Sequence, residues 1–161
     1  MKHVVTDANV LFSGLISGNE KIVRLFGEYT IYTPDFALVE VQKYQELILS
    51  KTKIEPQKLR DYTLRLFKKI VVVPNLIISN QSYYKAFNLC KGVDEKDTPY
   101  LALSIELEIE LLTQDEKLAS HLRKEGFDKI TWVTFLSIWF SVAAQRNLCR
   151  TSKMNFIRAT E

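Results

Sequence analysis

The chain has 161 residues, 47% of them hydrophobic and 25% charged, with a formal net charge of +3. That length is most simply one domain whose core needs no disulfide or metal staple, and the composition is that of an ordinary globular chain. The mildly basic charge favours a nucleic-acid partner only weakly by itself. The first apolar run is short and reads as a strand, so no signal peptide is expected. The most apolar stretch, residues 132–144, is broken by Thr134, Ser137 and Ser141 and falls short of the ~18 residues that suggest a membrane span. Cys90 and Cys149 form no CxxC pair, so a reduced cytoplasmic setting is expected.

Taken in chain order, Val4-Val5 lead a first strand over residues 3–6 that ends in Thr6-Asp7. Residues 19–27 supply a helix closed by Gly27, and a second strand follows over 29–33. Pro34 opens a long helix to about residue 50, and a polar hinge over 51–55 leads through Pro56 into a further helix. That helix carries Leu59, Tyr62, Thr63, Leu66 and Phe67 at amphipathic spacing, with Lys58, Arg60, Arg65, Lys68 and Lys69 on the other face. A third strand over 70–73 is followed by helices near 81–90 and 99–108. A fourth strand over 109–113 ends in Thr113-Gln114-Asp115, a helix over 116–125 stops at Gly126, and a fifth strand occupies 129–133. Runs such as Val71-Val72-Val73 and Leu111-Leu112, rather than alternations, indicate strands covered on both faces. Strands alternating with helices make this an α/β chain, a mostly parallel sheet with helices around it.

Two strands therefore end in a threonine and then an aspartate. In an open parallel sheet, the carboxyl ends of the strands are where ligands bind. Asp7 and Asp115 are brought to that edge, although each is also suited to capping the turn or helix that follows it. Glu40 is more telling. At ~100° per residue it falls inside the apolar arc of its helix, among Phe36, Ala37, Val41, Tyr44, Leu47 and Ile48. A carboxylate there must be paired, for which Lys43 is the nearest cation, or protonated, or bound to metal. Asp97 precedes Thr98-Pro99 and suits a helix N-cap, with Asp94 close by in the same acidic loop. Asn9 is placed to orient a carboxylate or a metal-bound water from the first loop. Four carboxylates in one crevice repel one another unless some protonate or a cation neutralises them, and all-oxygen ligands select Mg²⁺ or Mn²⁺. His3 and His121 share no spacing and read as edge or surface residues.

These residues, in this order, resemble the PIN-domain family of metal-dependent ribonucleases. The matching segments are Thr6-Asp7-Ala8-Asn9-Val10, Tyr32-Thr33-Pro34 before the helix bearing Glu40, Asp97-Thr98-Pro99-Tyr100-Leu101-Ala102-Leu103, and Thr113-Gln114-Asp115. The resemblance implies a three-layer α/β/α sandwich around a parallel sheet of about five strands. It implies a PIN-like nuclease domain over residues 1–134. The chain departs from the family by continuing past its usual end, and there a C-terminal helix and basic polar tail over 135–161 are expected to pack on that domain or on a second subunit. By position, Asp7, Glu40, Asp97 and Asp115 match the family's catalytic and metal-holding acids, with Asn9, Thr113 and Asp94 in support. The implied activity is hydrolysis of RNA by a Mg²⁺- or Mn²⁺-dependent endoribonuclease. The implied partners are an RNA substrate, an antitoxin peptide if the chain is a toxin, and a second copy in a homodimer, with no membrane. A non-catalytic RNA- or protein-binding module is the alternative. Phosphoryl transfer through an aspartyl nucleophile fits less well, because a second carboxylate is wanted two residues after Asp7 and Asn9 stands there.

Overall fold

Val4, Val5, Ile31, Ile70, Leu111 and Ile130 are all buried, and they sit on five strands that form one sheet. The structure is a computed structural model and describes residues 2–52 and 54–133. The strands are β1 (Lys2–Thr6), β2 (Tyr29–Pro34), β3 (Ile70–Val73), β4 (Glu110–Thr113) and β5 (Ile130–Trp132). Every pairing is parallel and the order is β3-β2-β1-β4-β5. The expected helix and tail over 135–161 lie outside the described residues.

Eight α-helices occur among the described residues: α1 (Ala8–Ser17), α2 (Glu20–Phe26), α3 (Phe36–Lys43), α4 (Gln45–Lys51), α5 (Pro56–Phe67), α6 (Asn80–Cys90), α7 (Thr98–Leu107) and α8 (Glu116–Lys124). The chain steps outward from β1 to β2 to β3, returns past β1 to β4, and then steps to β5. With right-handed crossovers, this reversal puts α1–α5 on one face of the sheet and α6–α8 on the other. The packing follows: α1 meets α3, α4 and α5, and α2 meets α5, while α6 meets α7 and α8. The result is the three-layer α/β/α sandwich expected from the sequence. α7 explains its own lack of amphipathic pattern, since Thr98 to Ser104 are buried without interruption between the sheet and α6.

Two elements differ from the expectation. The chain forms a helix directly after β1, where none was foreseen, because Asp7 caps it and Gly18 closes it in the left-handed region at φ +55°. A side chain at Gly18 would also collide with that of Ile54. The long helix expected from Pro34 instead begins at Phe36, with Pro34 ending β2, and breaks at Tyr44 (φ −99°, ψ 15°). No proline or glycine marks the break. There the Tyr44 ring lies edge-on to Phe12 of α1, centroids 5.4 Å apart, and α4 turns to bury Ile48. Of the apolar arc only Ala37 and Ile48 are buried and Val41 is half-buried; Phe36, Tyr44 and Leu47 stay exposed, as do Leu38, Val39 and Leu49 outside it.

Tyr62 of α5 ties the α1–α2 connection to this layer. It is 2% exposed, and its hydroxyl donates to the Gly14 carbonyl at 2.9 Å, with the Asn19 carbonyl 3.3 Å away. Replacing Tyr62 with Phe keeps the ring and removes this donor, while Ser17 Oγ still bonds the Gly14 carbonyl at 3.0 Å and the Ile22 amide the Asn19 carbonyl at 2.8 Å. The cost is therefore that of one lost hydrogen bond, about 1–1.5 kcal/mol. We expect Tyr62→Phe to lower the melting temperature by roughly 2–6 °C, with an unchanged far-ultraviolet circular dichroism spectrum.

Candidate active site

β1 ends in Thr6, which is paired in register with Leu112 of β4, so the residues after each strand emerge side by side at the carboxyl edge. This is also where the strand order reverses, the place where an open α/β sheet leaves a crevice. Asp7 is 1% exposed. Its Oδ1 accepts from the Val10 amide at 2.9 Å and its Oδ2 from the Thr113 hydroxyl at 2.5 Å. Thr113 Oγ1 in turn accepts from the Asp115 amide at 2.9 Å, so one hydroxyl spans the two strand ends. Asp115 caps α8 by accepting from the Leu118 amide at 2.9 Å.

Glu40 comes from the middle of α3 and is half-buried. Its partner is the Tyr100 hydroxyl of α7, which donates a short hydrogen bond to Oε2. Lys43, the cation nearest in sequence, is not that partner: its Nζ lies over the Tyr44 ring, 5.4 Å from the centroid. Asp94 caps the 3-10 turn Glu95–Asp97, accepting from the Lys96 amide at 3.0 Å. The capping account thus holds for Asp7, Asp94 and Asp115, and each also belongs to the acid cluster. Asp97 differs. It stands at the N-cap of α7 without making a capping bond, and no hydrogen bond to its carboxylate is found among the described residues.

A cleft of about 300 Å³ opens over these groups, lined by Ala8, Asn9, Phe12, Glu40, Tyr44, Leu47, Asp94, Lys96, Asp97 and Asp115. Asp7 lies beneath it rather than on its wall. Of the residues singled out from sequence, Asn9, Glu40, Asp94, Asp97 and Asp115 therefore meet in one cleft, and Thr113 and Asp7 support its floor. Tyr100, Lys96 and the Phe12–Tyr44–Leu47 wall were not foreseen. Tyr100 had a readable signal, since it is the one phenol in the run Pro99–Leu103, otherwise apolar, and a buried phenol needs a partner. The basic face of α5 does not line this cleft; two of its cations are paired, Arg65 with Glu20 (2.6 Å) and Lys58 with Glu55 (2.9 Å). His3 stacks on Tyr32, and His121 meets the Leu89 carbonyl. Cys90 is buried, which pushes its thiol up to about 12, so it is a core residue and no nucleophile.

Burial and mutual repulsion set the protonation of the acids. Burial, followed by the charges of Asp7, Asp94, Asp115 and Glu40, pushes the Asp97 carboxyl up to about 7. Burial likewise raises Asp7 to about 6, while its bonds from Thr113, Val10 and the Gln114 backbone hold the carboxylate back toward its usual range. Burial raises the Tyr100 phenol far above its ordinary value, with the Glu40 bond acting in the same direction, so it remains a proton donor to Glu40.

The family model of the PIN domain matches residues 5–132. The chain belongs to the PIN-domain family. No curated protein matches it in sequence. PIN domains are generally nucleases that act on nucleic acids and typically use divalent metals. In this PIN domain the donor set suits such an ion. It is all oxygen, and Asp97 keeps its lone pairs unengaged and its charge uncompensated. The spacing is open, however: among the described residues no group of three or more His, Cys, Asp and Glu side chains is disposed to hold a metal ion as the side chains stand. No helix among the described residues is long and apolar enough to cross a membrane.

Raised carboxyl values make the metal-free PIN domain bind more protons folded than unfolded between about pH 4, where unfolded aspartates titrate, and about pH 7. Its stability must therefore fall as pH rises through that window. In EDTA, we expect the melting temperature to drop from pH 5 to pH 8. Asp97→Asn should flatten that drop and raise the pH 8 value by about 2–4 °C, corresponding to ~1 kcal/mol. Melting curves of the two proteins across pH check this.

Proposed function

We propose that this PIN domain is a Mg²⁺- or Mn²⁺-dependent endoribonuclease. The observation that carries the reading is Asp97: an aspartate without a hydrogen bond, facing a cleft, and raised to about 7 by burial and four neighbouring acids. Such a group calls for a cation, and perturbed acids gathered in a cleft are the mark of a chemical site. Asp97 and Asp115 would hold the ion from the cleft wall, with Asp7 below them and Glu40 opposite. When bound, it supplies positive charge to the scissile phosphate and makes an attacking water nucleophilic near neutral pH.

The chain's own residues do the rest. Tyr100 fixes one Glu40 oxygen and leaves the other to orient the water and take its proton. Thr113 locks Asp7 and the Asp115 loop to each other, so the acids keep their spacing. Asn9 and Lys96 present an amide and an ammonium on the cleft wall, donors suited to phosphate oxygens. Water attacks phosphorus in line and the P–O3′ bond breaks, leaving a 3′-hydroxyl and a 5′-phosphate.

We expect the full chain to cut single-stranded RNA with Mg²⁺ or Mn²⁺, to stop in EDTA, and to recover on metal addition. Asp97→Asn should lower kcat by about 10²–10⁴-fold, the range of a lost catalytic group, and Tyr100→Phe by about 10–100-fold through misplacement of Glu40. Cleavage unchanged in EDTA or in Asp97→Asn would overturn the proposal.

One observation favours a second reading, a non-catalytic RNA- or protein-binding module: the acids do not close around an ion as they stand. Calorimetric metal binding with no turnover on a varied RNA panel would select it. On the family resemblance alone we extend the proposal to a toxin restrained by an antitoxin peptide. In that case induced expression of the wild type arrests growth and Asp97→Asn does not, and equal growth of the two removes the toxin role.

A further inference from the structure

α6 exposes aromatic rings that its own packing does not use. Tyr84 is 72% exposed and Phe87 39%, and with Tyr83 they lie at i, i+1 and i+4 of one helix. Across from them stands Phe36 of α3, itself 36% exposed. These four rings, with Glu95, Lys96, Thr98 and Pro99, line an open groove of about 520 Å³. Lys96 lines this groove and the acidic cleft alike, so the two are neighbours across that side chain. Phe36 is also held in place. Its ring lies edge-on to Tyr100, centroids 6.4 Å apart at 61°, and Tyr100 is the residue that fixes Glu40.

We propose that this groove is a base-stacking subsite for single-stranded nucleic acid, seating nucleotides next to the phosphate in the acidic cleft. The proposal rests on the reading of that cleft as a nuclease site and adds to it how the strand is held. The apolar lining is aromatic save for Pro99, with no leucine, isoleucine or methionine, and flat rings accept any base face. Lys96 supplies a cation where the backbone would pass from groove to cleft, and Lys85 is exposed next to Tyr84. Glu95 is the single acid of the lining, and it is exposed. A strand bound this way is unpaired by necessity, because a base engaged in a duplex has no free face to offer the rings. The subsite thus adds a seat for the bases of the single strand already expected at the cleft, with no sequence preference set by hydrogen bonding.

The test measures anisotropy of fluorescein-labelled 12-nucleotide oligo(U) and oligo(A) RNA with the full chain, in EDTA and at low salt, so that no cleavage intervenes. Tyr84→Ala and Phe87→Ala should each weaken binding by about 5- to 100-fold, while Tyr84→Trp retains it. Neither should change the slope of log affinity against log salt, whereas Lys96→Gln should reduce it by about one charge. Under cleaving conditions the alanine variants should raise KM and spare kcat. Melting curves matching the wild type establish that the variants are folded, as exposed positions allow. Unchanged oligonucleotide affinity and KM in the folded double variant, while metal-dependent cleavage persists, would overturn the subsite and leave the nuclease reading standing. Ring-dependent binding without any cleavage in Mn²⁺ would uphold the subsite and sink the nuclease reading instead. Loss of self-association in the double variant, with oligonucleotide affinity intact, would make the groove a protein contact and also overturn it.

Discussion

Asp7 is an aspartate with almost no exposed surface at the end of a central strand, and the rest of the site is arranged by what that burial demands. An ionised carboxylate in such a place is costly unless donors surround it. The donors come from two different elements: the Val10 amide in the first turn of α1 and the Thr113 hydroxyl at the end of β4. The second exists only because β1 and β4 pair with Thr6 opposite Leu112. A slip of one residue would turn the Thr113 side chain to the other face of the sheet and leave Asp7 without it. Sheet register and site electrostatics are therefore one constraint here. The same hydroxyl also takes the Asp115 amide, so the second strand-end acid inherits its position from the first.

The remaining acids are held to unequal degrees, and the inequality has a chemical sense. Asp7, Asp94 and Asp115 each accept a backbone amide, and Glu40 accepts a phenol. Asp97 has no such bond and bears the repulsion of all the others. Had every acid been satisfied internally, the cluster would be a set of helix caps and no more. Had none been, the folded state would not tolerate the charge. The arrangement leaves the unmet demand on one carboxylate that faces solvent, the pattern expected where stability is given up for function.

Much of this was legible in the sequence because strands and caps are local. The apolar runs marked all five strands to within a residue or two, and the alternation of strand and helix gave the parallel sheet. The Thr-Asp and Thr-Gln-Asp endings put Asp7, Thr113 and Asp115 at the carboxyl ends of β1 and β4, where the fold has them. α1 was missed because Asn9, Ser13, Gly14 and Ser17 interrupt its apolar pattern, while its true start signal, the Asp7 cap, also reads as a turn. The break at Tyr44 was hidden for a different reason: no helix-breaking residue marks it, and the ring contact there is with Phe12, 32 positions earlier. Glu40 was found on the helical wheel, yet of its neighbours on that arc only Ala37 and Ile48 are buried in the core, while Tyr44 and Leu47 line the cleft. Its partner, Tyr100, lies 60 positions away, a distance across which local pattern carries no information.

The loop from Asp94 to Pro99 shows why the cleft and the groove are best understood together. Within six residues it supplies two carboxylates and an ammonium to the cleft, and Glu95, Lys96, Thr98 and Pro99 to the aromatic groove. Phe36 and Glu40 repeat the pairing on α3, four residues apart and so on one helical face, with Phe36 lining the groove and Glu40 the cleft. Tyr100 touches both: its ring meets Phe36 and its hydroxyl holds Glu40. The groove and the cleft therefore share one buried side chain, so that a change at Tyr100 which repacks Phe36 also frees Glu40.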